Sequence, residues 1–247
     1  MASRFKHDPR QPTHSGCLYA VAILRNAHNS ASSLLNIFDS VCGGRRKRKS
    51  LSDDEQQDLL RAMLIFASAG LDAMVKQLIK DALRTVINQD EGATAIFKKY
   101  IERRLAKEGK AIDHHFLADI LGDSRPRDRL LDSLISELTQ GSFQSATQLF
   151  RVAEAFNIRT DDLHANKKKL DAVFRTRNQI AHEMDVDFAQ QEGRTRRLRD
   201  KQAMIDFANE VFGLAAAFLN QVDAKLSGTP STVSPDLAAK GIDSELE

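Results

Sequence analysis

Apolar residues recur at helical spacing through most of this 247-residue chain, and one stretch departs from the rule in an informative way. Over positions 163–187 the pattern predicts an amphipathic helix of about 100° per residue. With Arg177 placed at zero, Leu170, Val173, Phe174, Ile180, Ala181 and Met184 all fall within about 60° of it. The arginine therefore stands in the middle of the apolar stripe, where burial of an unpartnered guanidinium is costly and Leu or Val is the normal occupant. Asn178 and His182 are four apart and share a face to one side. Arg177 and His182 are five apart, about 7.5 Å along the axis and 140° around it, so one regular helix cannot aim both at a single atom.

Taken in order, residues 1–15 are polar with Pro9 and Pro12 and are expected to form a loose, disordered arm. A first helix is predicted over 16–41, with a bend at its polar middle. Gly43 and Gly44 end it, and the basic run Arg45, Arg46, Lys47, Arg48, Lys49 follows. Ser52 to Glu55 has the S-x-x-E form of a capping box, which opens a second helix. That helix meets no strong breaker until Gly92, and its apolar set is broad enough to be covered on several sides, so it is expected to be the central core helix. Asp72 and Lys76 within it form an i, i+4 pair of the kind usually found at surfaces. Positions 92–157 read as a helical insertion of four shorter helices, over 94–106, 115–121, from 125 on, and 142–156. Thr160-Asp161-Asp162 caps the helix of 163–187, and 183–193 is expected to be a loop. A second basic run, Arg194, Arg196, Arg197, Arg199 and Lys201, leads into a packing helix over 204–226. The tail 227–247 reads as disordered. No alternating strand pattern and no fixed repeat stands out, which makes the fold all-α: an antiparallel bundle in one domain over 16–226.

Composition narrows the function classes. With 42% hydrophobic and 28% charged residues the chain can bury a sizeable core. No apolar run approaches the roughly 18 residues of a membrane span, and no leader-like segment opens the chain, so a cytoplasmic location and no membrane partner are expected. Cys17 and Cys42 lack the number and spacing of a disulfide framework or zinc site, and no metal or cofactor is expected. A net charge of +2 does not announce a nucleic-acid binder. The two basic runs do more: they are solvated loops or, as the RNA-binding candidates Arg45, Arg46, Lys47, Arg48, Lys49, Arg194, Arg196 and Arg197, contacts to an RNA backbone. Cations 98, 99, 103, 104 and 107 beside Tyr100 form a weaker candidate of the same kind.

Arg177, Asn178 and His182 suit RNA chemistry. RNA carries its own nucleophile, so cleavage needs a proton acceptor, a proton donor and positive charge on the phosphorane. An imidazole with an ordinary pKa of about 6.5 serves either proton step, a guanidinium fork binds two phosphate oxygens, and Asn178 can hold the ring or touch the phosphate. R-x-x-x-x-H alone is weak, since Arg159 to His164 matches it too; only the match at Arg177 lies in an apolar stripe with its histidine at a helix end.

The segment F-R-T-R-N-Q-I-A-H-E-M-D (174–185) resembles the signature of the HEPN superfamily, and A-M-L-I-F-A-S-A-G-L-D-A-M-V-K-Q-L-I-K-D-A-L (62–83) resembles the second helix of that bundle in its RiboL-PSP-related branch. The resemblance implies a helical ribonuclease of the toxin-antitoxin or phage-defence kind, acting on RNA as a homodimer without metal. Arg177, Asn178 and His182 would be its catalytic residues, and an antitoxin or other regulatory protein its partner. Divergence of Arg177 and His182 around one helix agrees with a site shared by two copies. Two alternatives stay open: Arg177 reaches a carboxylate such as Asp72 or Glu137 while His182 caps its helix, or the chain is a non-catalytic binding or scaffolding subunit.

Overall fold

The 37-residue helix α2 (Asp53–Gln89) is the axis on which the other helices are laid. Leu60, Met63, Leu64, Ala67, Leu71, Met74, Val75, Leu78, Ile79, Ala82, Leu83, Val86 and Ile87 point around more than one side of it and are all buried. Each large side chain among them stabilises the fold by about 1.5–3 kcal/mol through the apolar surface it removes from water. The expected central helix is thus confirmed. By length and composition α2 is also apolar enough to cross a membrane, where the sequence leads us to expect no such segment. Here it is the covered centre of a bundle, and the helices packed around it account for the hydropathy.

The computed structural model describes residues 5–42, 53–107, 111–112, 114–143, 145–189 and 195–228. A short 3-10 turn (Ser15–Cys17) leads into α1 (Leu18–Cys42), which runs unbroken, without the expected bend. It lies antiparallel to α2, and the two helices are in tight contact at Ala27 and Gly70, where a Cβ on Gly70 would stand 2.2 Å from that of Ala27. After α2 come α3 (Glu91–Leu105), α4 (His114–Leu121), α5 (Pro126–Thr139) and α6 (Ala146–Ala155). A second 3-10 turn (Thr160–Leu163) precedes α7 (Lys167–Glu183), and α8 (Lys201–Leu226) closes the bundle. The architecture is all-α. Its only described extended pairing within named strands is a two-residue antiparallel contact, Ala106–Lys107 with Ala111–Ile112, which no alternation in the sequence signals.

Local chemistry explains several boundaries that sequence places differently. Gly92 does not break α2; it lies in the first turn of α3, because Asp90 caps that helix by accepting from Ala93 N at 2.8 Å. Gly92 is needed there because a Cβ would meet the amide of Asn157 at 2.1 Å. Asn157 Nδ2 and Lys225 Nζ both donate to Asp90, at 2.8 and 2.6 Å, so α2, α3, α6 and α8 are tied at one carboxylate. The insertion is therefore knitted into the bundle. Burial works to raise the Asp90 pKa, but hydrogen bonds from Lys225, Ala93 and Asn157 outweigh it and hold the carboxyl below its ordinary value. Asp72 likewise does more than pair with Lys76, since its other oxygen accepts from Phe143 N at 2.7 Å and fixes the approach to α6.

Residues 5–14 differ most from expectation. They run along α1 and α8, with Lys6 N donating to Asn209 Oδ1 at 2.9 Å and Thr13 N and His14 N to the Asp223 carboxylate at 2.8 and 2.7 Å. The Phe5 ring anchors the end of this strap, buried against His28 and Phe212 with ring centroids 5.4 and 5.1 Å away. A buried aromatic and satisfied backbone donors hold a segment whose composition reads as loose. The tail from 229 on lies outside the described residues.

Candidate functional site

Helix α7 begins later than 163. Asn166 is its cap, with Oδ1 accepting from Lys169 N at 3.1 Å, and Thr160, Asp161 and Asp162 belong to the separate 3-10 turn before it. The apolar stripe is as read for Leu170, Val173, Phe174 and Ile180, which are buried, but not for Ala181 and Met184, which are exposed. Met184 lies beyond the helix end, so the stripe stops one turn earlier and leaves Arg177 half-buried at its margin.

Arg177 Nη1 donates to Asn178 Oδ1 at 3.0 Å. Among the described residues no carboxylate pairs with Arg177. Asp72 is taken by Lys76 and Phe143 N, and Glu137 by Arg103 and Arg151, so neither provides the salt bridge that would make Arg177 a packing residue. His182 is exposed in the last turn of α7. It does not cap the helix: Met184 and Asp185 do so with backbone donors, both N–H groups bonding the Gln179 carbonyl, at 2.9 Å from Asp185. The competing match, Arg159 to His164, spans the second 3-10 turn, and Arg159 is exposed beside Asp161 and Asp162 at 3.8 and 3.7 Å.

Met184 and Asp185 take left-handed backbone conformations, with φ of 51° and 62°. Such positions cost non-glycine residues of order 1 kcal/mol or more each and persist only where surrounding contacts enforce them. The contacts here are ionic. The Asp185 side chain is wholly buried, accepting from Arg61 Nε at 2.9 Å and Arg199 Nε at 3.0 Å on Oδ2, and from Arg199 Nη2 on Oδ1. Arg61, itself 2% exposed, also donates to Asp58 Oδ1 at 3.0 Å and to the Arg197 carbonyl at 2.9 Å. Arg199 Nη2 reaches back to Gln179 Oε1 at 2.9 Å, and its backbone pairs with the Gln57 side chain. The segment after the turn is pinned by Arg197 N to Asp185 O at 2.8 Å and Asp187 N to Thr195 O at 2.9 Å, around the bridge Val186–Arg196. Burial pushes the Asp185 carboxyl up, but hydrogen bonds and charge from Arg199 and Arg61 outweigh it and hold the pKa below the ordinary value; Asp58 is lowered in the same way by Arg196 and Arg61.

The second basic run is therefore drawn inward where it is described. Arg196 bonds Asp58 at 2.6 Å and the Met184 carbonyl at 3.0 Å, and Arg197 lies 3.5 Å from Glu183, so both face carboxylates of their own chain where contact with RNA was expected. Arg45, Arg46, Lys47, Arg48, Lys49 and Arg194 lie outside the described residues. Tyr100 offers no stacking platform: it is buried, its hydroxyl 3.0 Å from Ser133 Oγ, with Arg103 over its ring. Two sets of residues escaped the sequence reading. Arg61 is a cation inside an apolar helix, the same signal as Arg177, with Asp58 three positions before it. Arg175, exposed, falls within about 20° of His182 around α7 and about 10.5 Å before it along the axis, a phosphate-contact candidate visible as an i, i+7 pair.

Compared with known proteins, the chain matches the family model described as RiboL-PSP-HEPN over residues 28–224, a span from within α1 to near the end of α8. No curated protein and no solved structure matches it.

Proposed function

The chain belongs to the RiboL-PSP-HEPN family, and from that premise we propose that it is a metal-independent endoribonuclease whose site is shared by two copies of the chain. The observation that carries this reading is the state of Arg177: a half-buried guanidinium with no carboxylate partner among the described residues, bonded to Asn178 on the helix whose last turn carries an exposed His182. A packing arginine has an internal counter-charge; one that awaits a phosphate does not.

In this reading the RNA 2'-oxygen attacks the adjacent phosphorus, the bond to the 5'-oxygen breaks, and the products are a 2',3'-cyclic phosphate and a 5'-hydroxyl. Imidazole of His182 takes the proton from the 2'-OH or gives one to the departing oxygen. The Arg177 fork bonds the non-bridging oxygens as their charge grows, aimed by Asn178. Because Arg177 and His182 diverge around α7, a two-fold pairing of α7 ends brings one copy's arginine and the other's histidine to a single phosphate, with the second histidine available for the opposite proton step. The basic run 45–49, Arg194 and Arg175 attract the RNA backbone without reading its sequence, with Arg196 and Arg197 secondary contacts. Growth arrest as a toxin or phage-defence effector, a neutralising partner protein and a cytoplasmic location complete the proposal.

The test is cleavage of a mixed single-stranded RNA by the full-length chain in the presence of EDTA, with the fragment ends identified. Cyclic phosphate ends from the parent, absent with Arg177→Ala and with His182→Ala, support the assignment. Equal cleavage by all three proteins overturns it, and no cleavage by the parent leaves the binding or scaffolding subunit as the reading.

A further inference from the structure

The ionic cluster behind the α7 terminus is not needed to end a helix. One glycine at the position of Met184 would do so without strain, and buried ion pairs add little net stability over apolar packing of the same volume. Yet Asp185, three residues after His182, is wholly buried in a left-handed conformation and gripped from two directions: by Arg61 from α2, and by Arg199 from the segment that returns past the site. Arg199 also holds Gln179, one turn before His182, so a single guanidinium spans the residues on either side of the histidine. Backbone bonds from Asp185 to Gln179 and Arg197 close the frame. The last turn of α7 is thus fixed against the most deeply buried helix of the fold while the imidazole is left exposed to solvent.

We propose that Asp185, clamped by Arg61 and Arg199, is a positioning residue that sets the direction of the His182 imidazole. The inference rests on the ribonuclease reading of the site for its consequence, but not for its geometry. Loss of the clamp lets the two left-handed residues relax and the terminal turn fray, so His182 samples orientations unsuited to proton transfer while RNA is still bound through arginines elsewhere. A displacement of about 1 Å at such a group costs up to about 100-fold in rate.

Asp185→Asn in the full-length chain keeps the size of the side chain and removes its charge. Well below the variant's Tm, kcat for RNA cleavage is expected to fall about 10- to 100-fold with KM changed by less than about twofold, a split that a loss of stability alone does not give. Independently of cleavage, the His182 Cε1–H resonance is expected to shift or split while those of His28 and His164 stay in place. Arg199→Lys, which keeps the charge and loses the fork, should give the same split and serves if Asp185→Asn does not fold. Parent kcat with an unmoved His182 signal in these variants overturns the proposal. If the parent cleaves no RNA, the ribonuclease reading fails by itself, and the His182 resonance still decides: displaced, the positioning role stands; unmoved, it falls.

Discussion

Arg177 meets the side chain of its own neighbour, Nη1 donating to Asn178 Oδ1 at 3.0 Å. A guanidinium has five donors, and this bond uses one, so the fork keeps most of its capacity for an incoming anion. Asn178 is itself half-buried, so the bond is made at the margin of the apolar stripe.

Removing the Arg177 or the His182 side chain should separate activity from stability. Arg177→Ala and His182→Ala are each expected to lower RNA cleavage by about 10²–10⁴-fold, with a change in folding stability within about 1 kcal/mol, since one residue is half-buried without an ion pair and the other exposed. Arg177→Lys should not restore the rate, because a point charge cannot bridge two phosphate oxygens. Asn178→Ala should cost about tenfold, through a loosened guanidinium. Initial rates on one RNA, with circular dichroism melts of each variant, check the set.

A shared site makes the inactive variants complement each other. Mixed after dissociation and reassociation, Arg177→Ala and His182→Ala chains should regain cleavage that neither shows alone, at most about a quarter of the parent rate, because random pairing gives half mixed dimers and each of these keeps one of its two Arg–His pairs. A mixture as inactive as its parts would place the whole site within one chain.

Acid stability should track the carboxylates that the fold pairs with its own cations and backbone donors. Asp185, Asp58 and Asp90 all have pKa values lowered in the folded chain, net of burial that opposes the shift. Such groups bind protons more readily when unfolded, so their stabilisation is present above the unfolded carboxyl pKa of about 3.9 and is lost as pH falls through the folded values. Chemical denaturation between about pH 5 and pH 2.5 should show a falling stability whose slope is smaller in Asp185→Asn and Asp90→Asn than in the parent.

His28 should act in a higher window. Its burial lowers the pKa, and the Asp8 carboxylate, 3.4 Å away, opposes this only in part. The neutral ring is the one the fold favours, so its contribution is complete above the unfolded pKa of about 6.5 and declines as pH falls through the folded value. His28→Phe, which keeps a ring between Phe5 and Phe212, should flatten the fall in Tm between about pH 7 and pH 5.

The tight contact of α1 and α2 at Gly70 gives a packing test. Gly70→Ala places a methyl 2.2 Å from the Ala27 Cβ, and neither backbone can retreat without opening the core, so a loss of about 1–3 kcal/mol is expected. Ala27→Gly in the same chain should recover part of it. Tm values of the single and double variants measure the coupling.

What sequence revealed and what it concealed divide along the range of the forces involved. Helix periodicity is local, so α2, α5 and the stripe Leu170–Val173–Phe174 were legible, as was Arg177 as a cation out of place. Boundaries set by a distant partner were not: Gly92 reads as a breaker until Asn157 is seen packed on it, and Phe5 reads as part of a loose arm until His28 and Phe212 enclose it. The basic run at 196–199 misleads for the same reason, since charge in sequence cannot show whether it faces solvent or Asp58 and Asp185. Met184 belonged to the stripe by angle alone, and only the left-handed turn removes it.

Because α2 packs against α1, α3, α5, α7 and α8, none of these five can leave the bundle without uncovering the buried side chains of α2. Opening of the core should therefore be all-or-none, with amide protons from the middle of α2 exchanging at the rate of global unfolding. The amides of Asp185 and Arg197, fastened to that helix through Arg61, should be far slower to exchange than a solvent-facing helix end normally is. The place where the histidine stands would then inherit the rigidity of the core without being buried in it.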